Sequence, residues 1–488
     1  MKKVFFSLLA LAYGTLVWAA PAPDTQKIYD QAKKHLIELI RIDTSEPQPN
    51  ETAAVRYIYK ELNKHHIDWD FLSPRKGAAN LLARIKGSDP QAKPLLLISH
   101  IDTQAAGEGW TYPPFKATLE DGRIYGLGST DAKNYTAMHL ALFTHIKDSG
   151  LTPKRDILFL VTSGEEAGSA TGLKWLGETQ WDNINAGYAL NEGGGIIQDE
   201  PQGTTLIFAE AGTKMYMDIK ITASGEAAHA SVPVPENAVY RLSQALARLP
   251  QFNPPARLTP ATQEFFRRIA PLQDEDGQTT IRLLLSDNPQ DQQMAADIMA
   301  KDSFFRTQLK DTINPVNISS GTDTGAAVSE ASAIVNVRLL PGTDPDAFFE
   351  ELRTFLGHED YLSLEILERP QLPFPAPMDG SDELFAALAQ TAQAIWPGAV
   401  TVPGMSPASG DGEFLRRLGV ITYGLGPAMN SQGPAAAAHA PDEYISENDY
   451  KEQIAFFTGV VYHFALGLPL NPQQAPASEA TTAVEKAD

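Results

Sequence analysis

The stretch Leu95-Leu96-Leu97-Ile98-Ser99-His100-Ile101-Asp102-Thr103 constrains this chain more than any other. An apolar run after Pro94 that gives way to polar residues is the pattern of a strand buried on both faces, as in a parallel sheet. In open α/β sheets, ligands gather beyond the carboxyl ends of the strands. His100 and Asp102 stand there two residues apart, so both side chains leave an extended backbone on one side. Such a pair suits a metal-binding imidazole oriented by a carboxylate behind it. Taken alone, a strand-end histidine satisfied by a nearby aspartate is the simpler reading.

Composition narrows the field. At 488 residues the chain exceeds a single small core, and two domains are expected. The balance of 39 basic against 60 acidic residues, a net charge of −21, argues against nucleic acid or an anionic membrane as partner. With no cysteine there is no disulfide, no lipid-attachment thiol and no thiolate zinc site. Any metal must be held by His, Asp and Glu. Lys2 and Lys3 precede an apolar run over 4–18 that ends at Ala19. This is the pattern of a cleaved signal peptide over residues 1–19. The run falls short of the ~20 residues a membrane span requires, so no anchor is expected after processing. A periplasmic or secreted protein follows.

Further along, helical spacing at Ile28, Leu36, Leu39 and Ile40 and again over 51–66 alternates with apolar strands near 80–85 and 157–161. Polar clusters close the strands. The pattern predicts an α/β fold, a catalytic α/β/α sandwich with a mixed sheet. After about Ala211 the texture changes, and Met215-Tyr216-Met217-Asp218-Ile219 alternates as a half-exposed antiparallel strand does. A helix near 236–249, a Pro-rich helical insertion and a strand at 333–338 complete a second, α+β domain. The expected organisation is a catalytic domain over 25–210 and 373–468, an inserted lid of dimerisation type over 211–372, and a disordered tail over 469–488.

Four further clusters ask for a common explanation. Asp131 sits in the Gly-rich Gly126-Leu127-Gly128-Ser129-Thr130-Asp131-Ala132-Lys133, just before a helix. Glu165-Glu166 follows a buried strand, as does Glu192 in Asn191-Glu192-Gly193-Gly194-Gly195, and His439 lies in Ala438-His439-Ala440-Pro441-Asp442-Glu443. Singly these are ordinary: an Asp suits any helix start, and a Glu pair is usually solvated. Together they supply a bridging carboxylate and further ligands for two divalent ions, one held by His100, Asp131 and Glu192 and the other by Asp131, Glu166 and His439. Glu165 remains to take a proton from water and pass it to a leaving amine.

In this order the motifs resemble the dizinc family of glutamate carboxypeptidase, aminoacylase and acetylornithine deacetylase, nearest its carboxypeptidase S-like and aminoacylase-like branch. The resemblance runs from about residue 27 to 468. It implies His100, Asp131, Glu166, Glu192 and His439 as ligands of two Zn²⁺, with Co²⁺ or Mn²⁺ as substitutes. It further implies Glu165 as general base and Asp102 as the residue behind His100. His229 in the lid would steady the oxyanion, and Arg338 would receive the substrate's free carboxylate. A loop histidine and a strand arginine facing solvent are the plain alternatives for those two.

The chain departs from the family at Gly325, where relatives carry a substrate-contacting Asn, at Leu127 and Ala132, and at Gly410-Asp411, where a Thr-Asp pair is usual. No ligand and no base is lost. The remaining histidines read as structural: His65 and His66 at a helix end, and His35, His139, His145, His358 and His463 in helical or surface segments. The expected activity is hydrolysis of an amide beside a free carboxylate, by a carboxypeptidase or dipeptidase. An N-acyl-amino-acid hydrolase would use the same machinery, and a silent binding protein is the rival from another class. The resemblance allows a lid-mediated homodimer, or an insertion between Arg257 and Pro315 that takes over that role within one chain.

Overall fold

Strand Leu95–His100 is buried at every position, and alternation sends its side chains to two different cores. Leu95 and Leu97 join Ile157, Phe159 and Val161 on one face, under the helices Thr25–Ile40, Lys133–Asp148 and Glu447–Phe464. Leu96 and Ile98 join Leu158 and Leu160 on the other, against Leu173, Leu176 and Leu415. Two-sided burial is why this sequence has no polar position until its carboxyl end. The computed structural model describes residues 23–47, 49–199, 203–321, 326–428 and 438–470. The signal-peptide segment, Gly325 and nearly all of the expected tail lie outside them. Among the described residues, no helix is long and apolar enough to cross a membrane.

The large sheet has nine strands and is mixed. Leu95–His100 lies at its centre, parallel to Ile157–Thr162 on one side and to Tyr188–Asn191 on the other. Ile421–Gly424 continues the parallel set beside Tyr188–Asn191. These strands run the same way, so the residues after His100, Thr162 and Asn191 emerge at one edge of the sheet.

The chain then passes from strand Thr204–Thr213 of the large sheet into strand Met215–Ser224 of a second one. That sheet is antiparallel, in the order Thr312–Ser320, Glu330–Leu339, Met215–Ser224, Leu362–Glu368. Met215, Met217, Ile219 and Ile221 face the helices Ala238–Arg248 and Pro345–Leu356, while the residues between them form the polar face. The helical insertion behaves otherwise. Its helices Pro260–Ile269, Glu275–Leu284 and Pro289–Met299 bury Phe265, Phe266, Ile281 and Ala295 with Phe208 and Val402 of the large sheet. Part of the segment expected to be lid therefore packs as a flank of the larger sheet.

Candidate active site

Three strand ends and two loops bring the expected ligands together. His100 closes the central strand, Glu165 and Glu166 follow Ile157–Thr162, and Glu192 follows Tyr188–Asn191. Asp131 precedes helix Lys133–Asp148, and His439 arrives from the loop before strand Tyr444–Ser446. Asp131 turns one oxygen to each imidazole: Oδ1 lies 3.0 Å from His100 Nε2 and Oδ2 lies 3.0 Å from His439 Nε2. Glu192 Oε2 is 3.1 Å from His100 Nε2, and Glu166 Oε1 is 3.2 Å from His439 Nε2. Glu165 stands farther off, its Oε2 at 3.9 Å from His100 Nε2.

The donor set fits two cations. His100, Asp131 and Glu192 form one compact group, and Asp131, Glu166 and His439 form another. Ligands about 2.0 Å from a tetrahedral ion stand about 3.3 Å apart, close to the N···O separations here. Glu166 Oε1 is buried and makes no hydrogen bond despite its closeness to His439, a lone pair left for another acceptor of electrons. The carboxyls of Asp102, Asp131, Glu165, Glu166, Glu192 and Asp411 outnumber the two imidazoles, and a buried excess of like charge demands cations. Without a metal, protons take that place.

Burial pushes Glu192 up to about 7, against the attraction of His100. Burial also lifts Glu165 well above the usual carboxylate range, with Glu192, Asp411 and Asp131 adding to it against His100. Burial opposes ionisation of Asp131, but hydrogen bonds from His100 and His439 outweigh it and hold that carboxyl below its ordinary value. The hydrogen bond to Asp131 and the neighbouring Glu166 carboxylate push His439 up to about 10. Burial disfavours the charged form of His100, yet Glu192, Asp102 and Asp131 raise it well above the normal histidine range.

A family model described as peptidase family M20/M25/M40 matches residues 96–463, well over half of the chain. The chain belongs to peptidase family M20/M25/M40. It is 26% identical over 427 residues to a probable succinyl-diaminopimelate desuccinylase of Staphylococcus aureus (strain MRSA252), covering 86% of this chain and 94% of that protein. It is 24% identical over 428 residues to aminoacylase-1 of Dictyostelium discoideum, covering 87% and 95%. The crystal structure of human carnosine dipeptidase 1 superposes with a TM-score of 0.66 at 15% identity, over 90% of this chain and 98% of that one. The family is the one the motif order resembles, and this M20 chain is a hydrolase acting on amide bonds.

The support beneath the ligands differs from expectation in one respect. The hydrogen-bond partner of His100 Nδ1 is the main-chain carbonyl of Asp102 at 3.0 Å, while the Asp102 carboxylate lies 3.6 Å away. That carboxylate instead accepts from the amides of Glu165 at 3.2 Å and Glu166 at 3.0 Å. Gln104 donates to Glu166 Oε2 at 2.9 Å, a role its spacing two residues beyond Asp102 could have signalled. Glu443 accepts from the amide and hydroxyl of Thr130 and from the His439 amide, tying the two ligand loops together. Asp411 accepts from Ser169 at 2.5 Å and Thr162 at 2.9 Å, and Gly410 beside it leaves room at Glu165.

Two expected residues stand apart. His229 is exposed on the inserted domain and bonds to Ser231 at 2.8 Å. Arg338 lies on the polar face of the second sheet, its Nε donating to Asn336 at 2.9 Å and its guanidinium 4.7 Å above the ring of Tyr216. Among the described residues, no hydrogen bond or ion pair joins either one to the ligand cluster. Arg338 Nη1 is buried without a partner. Of the remaining histidines, His65 pairs with Asp148 at 2.8 Å, His35 with Tyr57 at 2.7 Å, and His139 is buried with neither nitrogen bonded.

Proposed function

We propose that this chain is an exported hydrolase that holds two zinc ions and cleaves an amide beside a free carboxylate, as a carboxypeptidase or dipeptidase. The observation that carries the reading is the division of Asp131 between two histidine–glutamate pairs, with Glu165 held just outside them. His100, Asp131 and Glu192 would hold one ion, and Asp131, Glu166 and His439 the other. Such ions polarise a carbonyl and make water a competent nucleophile near neutral pH. Glu165 takes a proton from the water that attacks the scissile carbon, then delivers it to the nitrogen as the C–N bond breaks. Arg338 receives the substrate carboxylate on its unpartnered Nη1. His229 donates to the oxyanion when the inserted domain meets the site.

An N-acyl amino acid is the second candidate substrate, favoured by the relatives named aminoacylase and desuccinylase. Lys2, Lys3 and the apolar run over 4–18 support cleavage after Ala19 and a periplasmic or extracellular place of action. A homodimer through the inserted domain is compatible with this assignment. Dipeptides and N-acyl amino acids offered side by side, each with its C-terminal amide as control, test the substrate class. Preference for the free acid that disappears in Arg338→Ala supports it; equal rates on acid and amide refute it.

A further inference from the structure

The loop that carries Glu165 leaves strand Ile157–Thr162 with no strand partner of its own, so its buried amides need acceptors from elsewhere. Four in succession find them on side chains. Ser163 donates to Asn80 Oδ1 at 2.8 Å and Gly164 to Glu51 Oε1 at 2.8 Å. Glu165 and Glu166 donate to the two oxygens of Asp102. Asn80 opens strand Asn80–Ile85 and Asp102 lies two residues beyond Leu95–His100 of the same sheet. Glu51 comes from outside it, as the first residue of helix Glu51–Lys64.

Glu51 is out of place by ordinary standards. A glutamate in a first helical turn usually points to water, where it gains from the helix dipole at no desolvation cost. This one is 1% exposed, and among the described residues no Lys, Arg or His pairs with it. Its Oε1 is spent on the amide immediately before Glu165. Gly164 is also the point where the loop turns: its φ is +65°, and a Cβ there would meet Thr171 Oγ1 at 2.4 Å. The Ser163–Gly164 peptide is thus fixed by a buried carboxyl, and the glycine turn that follows it sets the direction in which the chain enters Glu165.

We propose that Glu51 is a positioning residue for the hydrolysis, holding the Gly164 amide so that Glu165 keeps its place just outside the ligand cluster. The assignment rests on the reading of Glu165 as the general base. Glu51 touches none of the expected ligands; it bears on Glu165 through the Ser163–Gly164 peptide plane, and the Ala79 amide also supports its carboxyl. Released from Glu51, the Ser163–Gly164 plane can rotate, and the altered torsions at Gly164 shift the Glu165 side chain about the anchor that Asp102 still gives the Glu165 and Glu166 amides. A displacement of about 1 Å in a reacting group costs on the order of 100-fold in turnover.

The test compares Glu51→Gln with Glu51→Met in the zinc-loaded full chain, since Gln keeps the acceptor oxygen and Met keeps only the length. Turnover, KM and zinc content are measured together with amide hydrogen exchange of the segment 163–169. Glu51→Met is expected to lose about 100-fold in kcat with KM and zinc content unchanged, and to exchange about tenfold faster in that segment. Glu51→Gln is expected to match the wild type in both. A Met variant with wild-type turnover, or a Gln variant as impaired as Met, overturns the proposal. Should Glu51→Met not fold, Glu51→Asp, whose shorter side chain cannot reach Gly164, takes its place with the same expectations. If the wild-type chain hydrolyses no amide, it is the general-base reading that fails; unchanged exchange in the Met variant would then refute the loop role on its own.

Discussion

Asp131 serves two imidazoles with two oxygens, and its amide counterpart can serve only one as an acceptor. Asp131→Asn should therefore lower bound metal and abolish turnover, while the fold persists; metal analysis beside circular dichroism checks both. His139 makes a different prediction. It is buried among Tyr135, Phe159 and Phe457, and burial lowers its pKa from 6.5 to about 3. Below pH 6.5 the unfolded chain takes a proton that the folded chain refuses, so stability falls as pH drops from about 6.5 toward 3. His139→Leu should flatten that acid limb, by up to about 5 kcal/mol across the window; melting curves against pH would show an unchanged slope if this is wrong. At this scale most of the clustered residues were legible because His100, Glu165, Glu166 and Glu192 close or follow apolar strands and Asp131 sits in a Gly-rich loop before a helix. Glu51 was not, since nothing in a glutamate at a helix start reveals that another loop has buried it.

Strands were the most readable elements. Leu95–His100 needed only an unbroken apolar run, and Met215–Ser224 only a strict alternation, because each pattern has one comfortable setting in a sheet. The insertion was harder. Amphipathic spacing shows that helix Pro260–Ile269 buries one face, but a helix stripe does not say which sheet receives it. The answer is the edge strand Val400–Ser406 of the large sheet, through Phe266 and Val402. Phe266→Ala should cost about 3–5 kcal/mol in urea unfolding. A loss under about 1 kcal/mol would place this helix outside the cooperative core. The site gains nothing directly from Phe266, so turnover per folded molecule should not change.

Across the whole molecule, buried carboxyls at the converging strand ends give the folded chain a reason to bind cations that the unfolded chain lacks. Chelation should lower the melting temperature, and added zinc should restore it. Because Asp131 and Glu166 hold His439 up near 10, the metal-free site is protonated at neutral pH and must release protons on loading. Zinc affinity should accordingly strengthen as pH rises from 6 to 8, which titration calorimetry in buffers of different ionisation enthalpy would detect. The most direct test is hydrolysis of dipeptides and N-acyl amino acids by the zinc-loaded chain, run beside Glu165→Gln at equal metal content. The predicted result is turnover by the wild type that falls by about a thousandfold in the variant, with zinc retained. Equal turnover in the two proteins, or none by the wild type on any substrate at stoichiometric zinc, would contradict it.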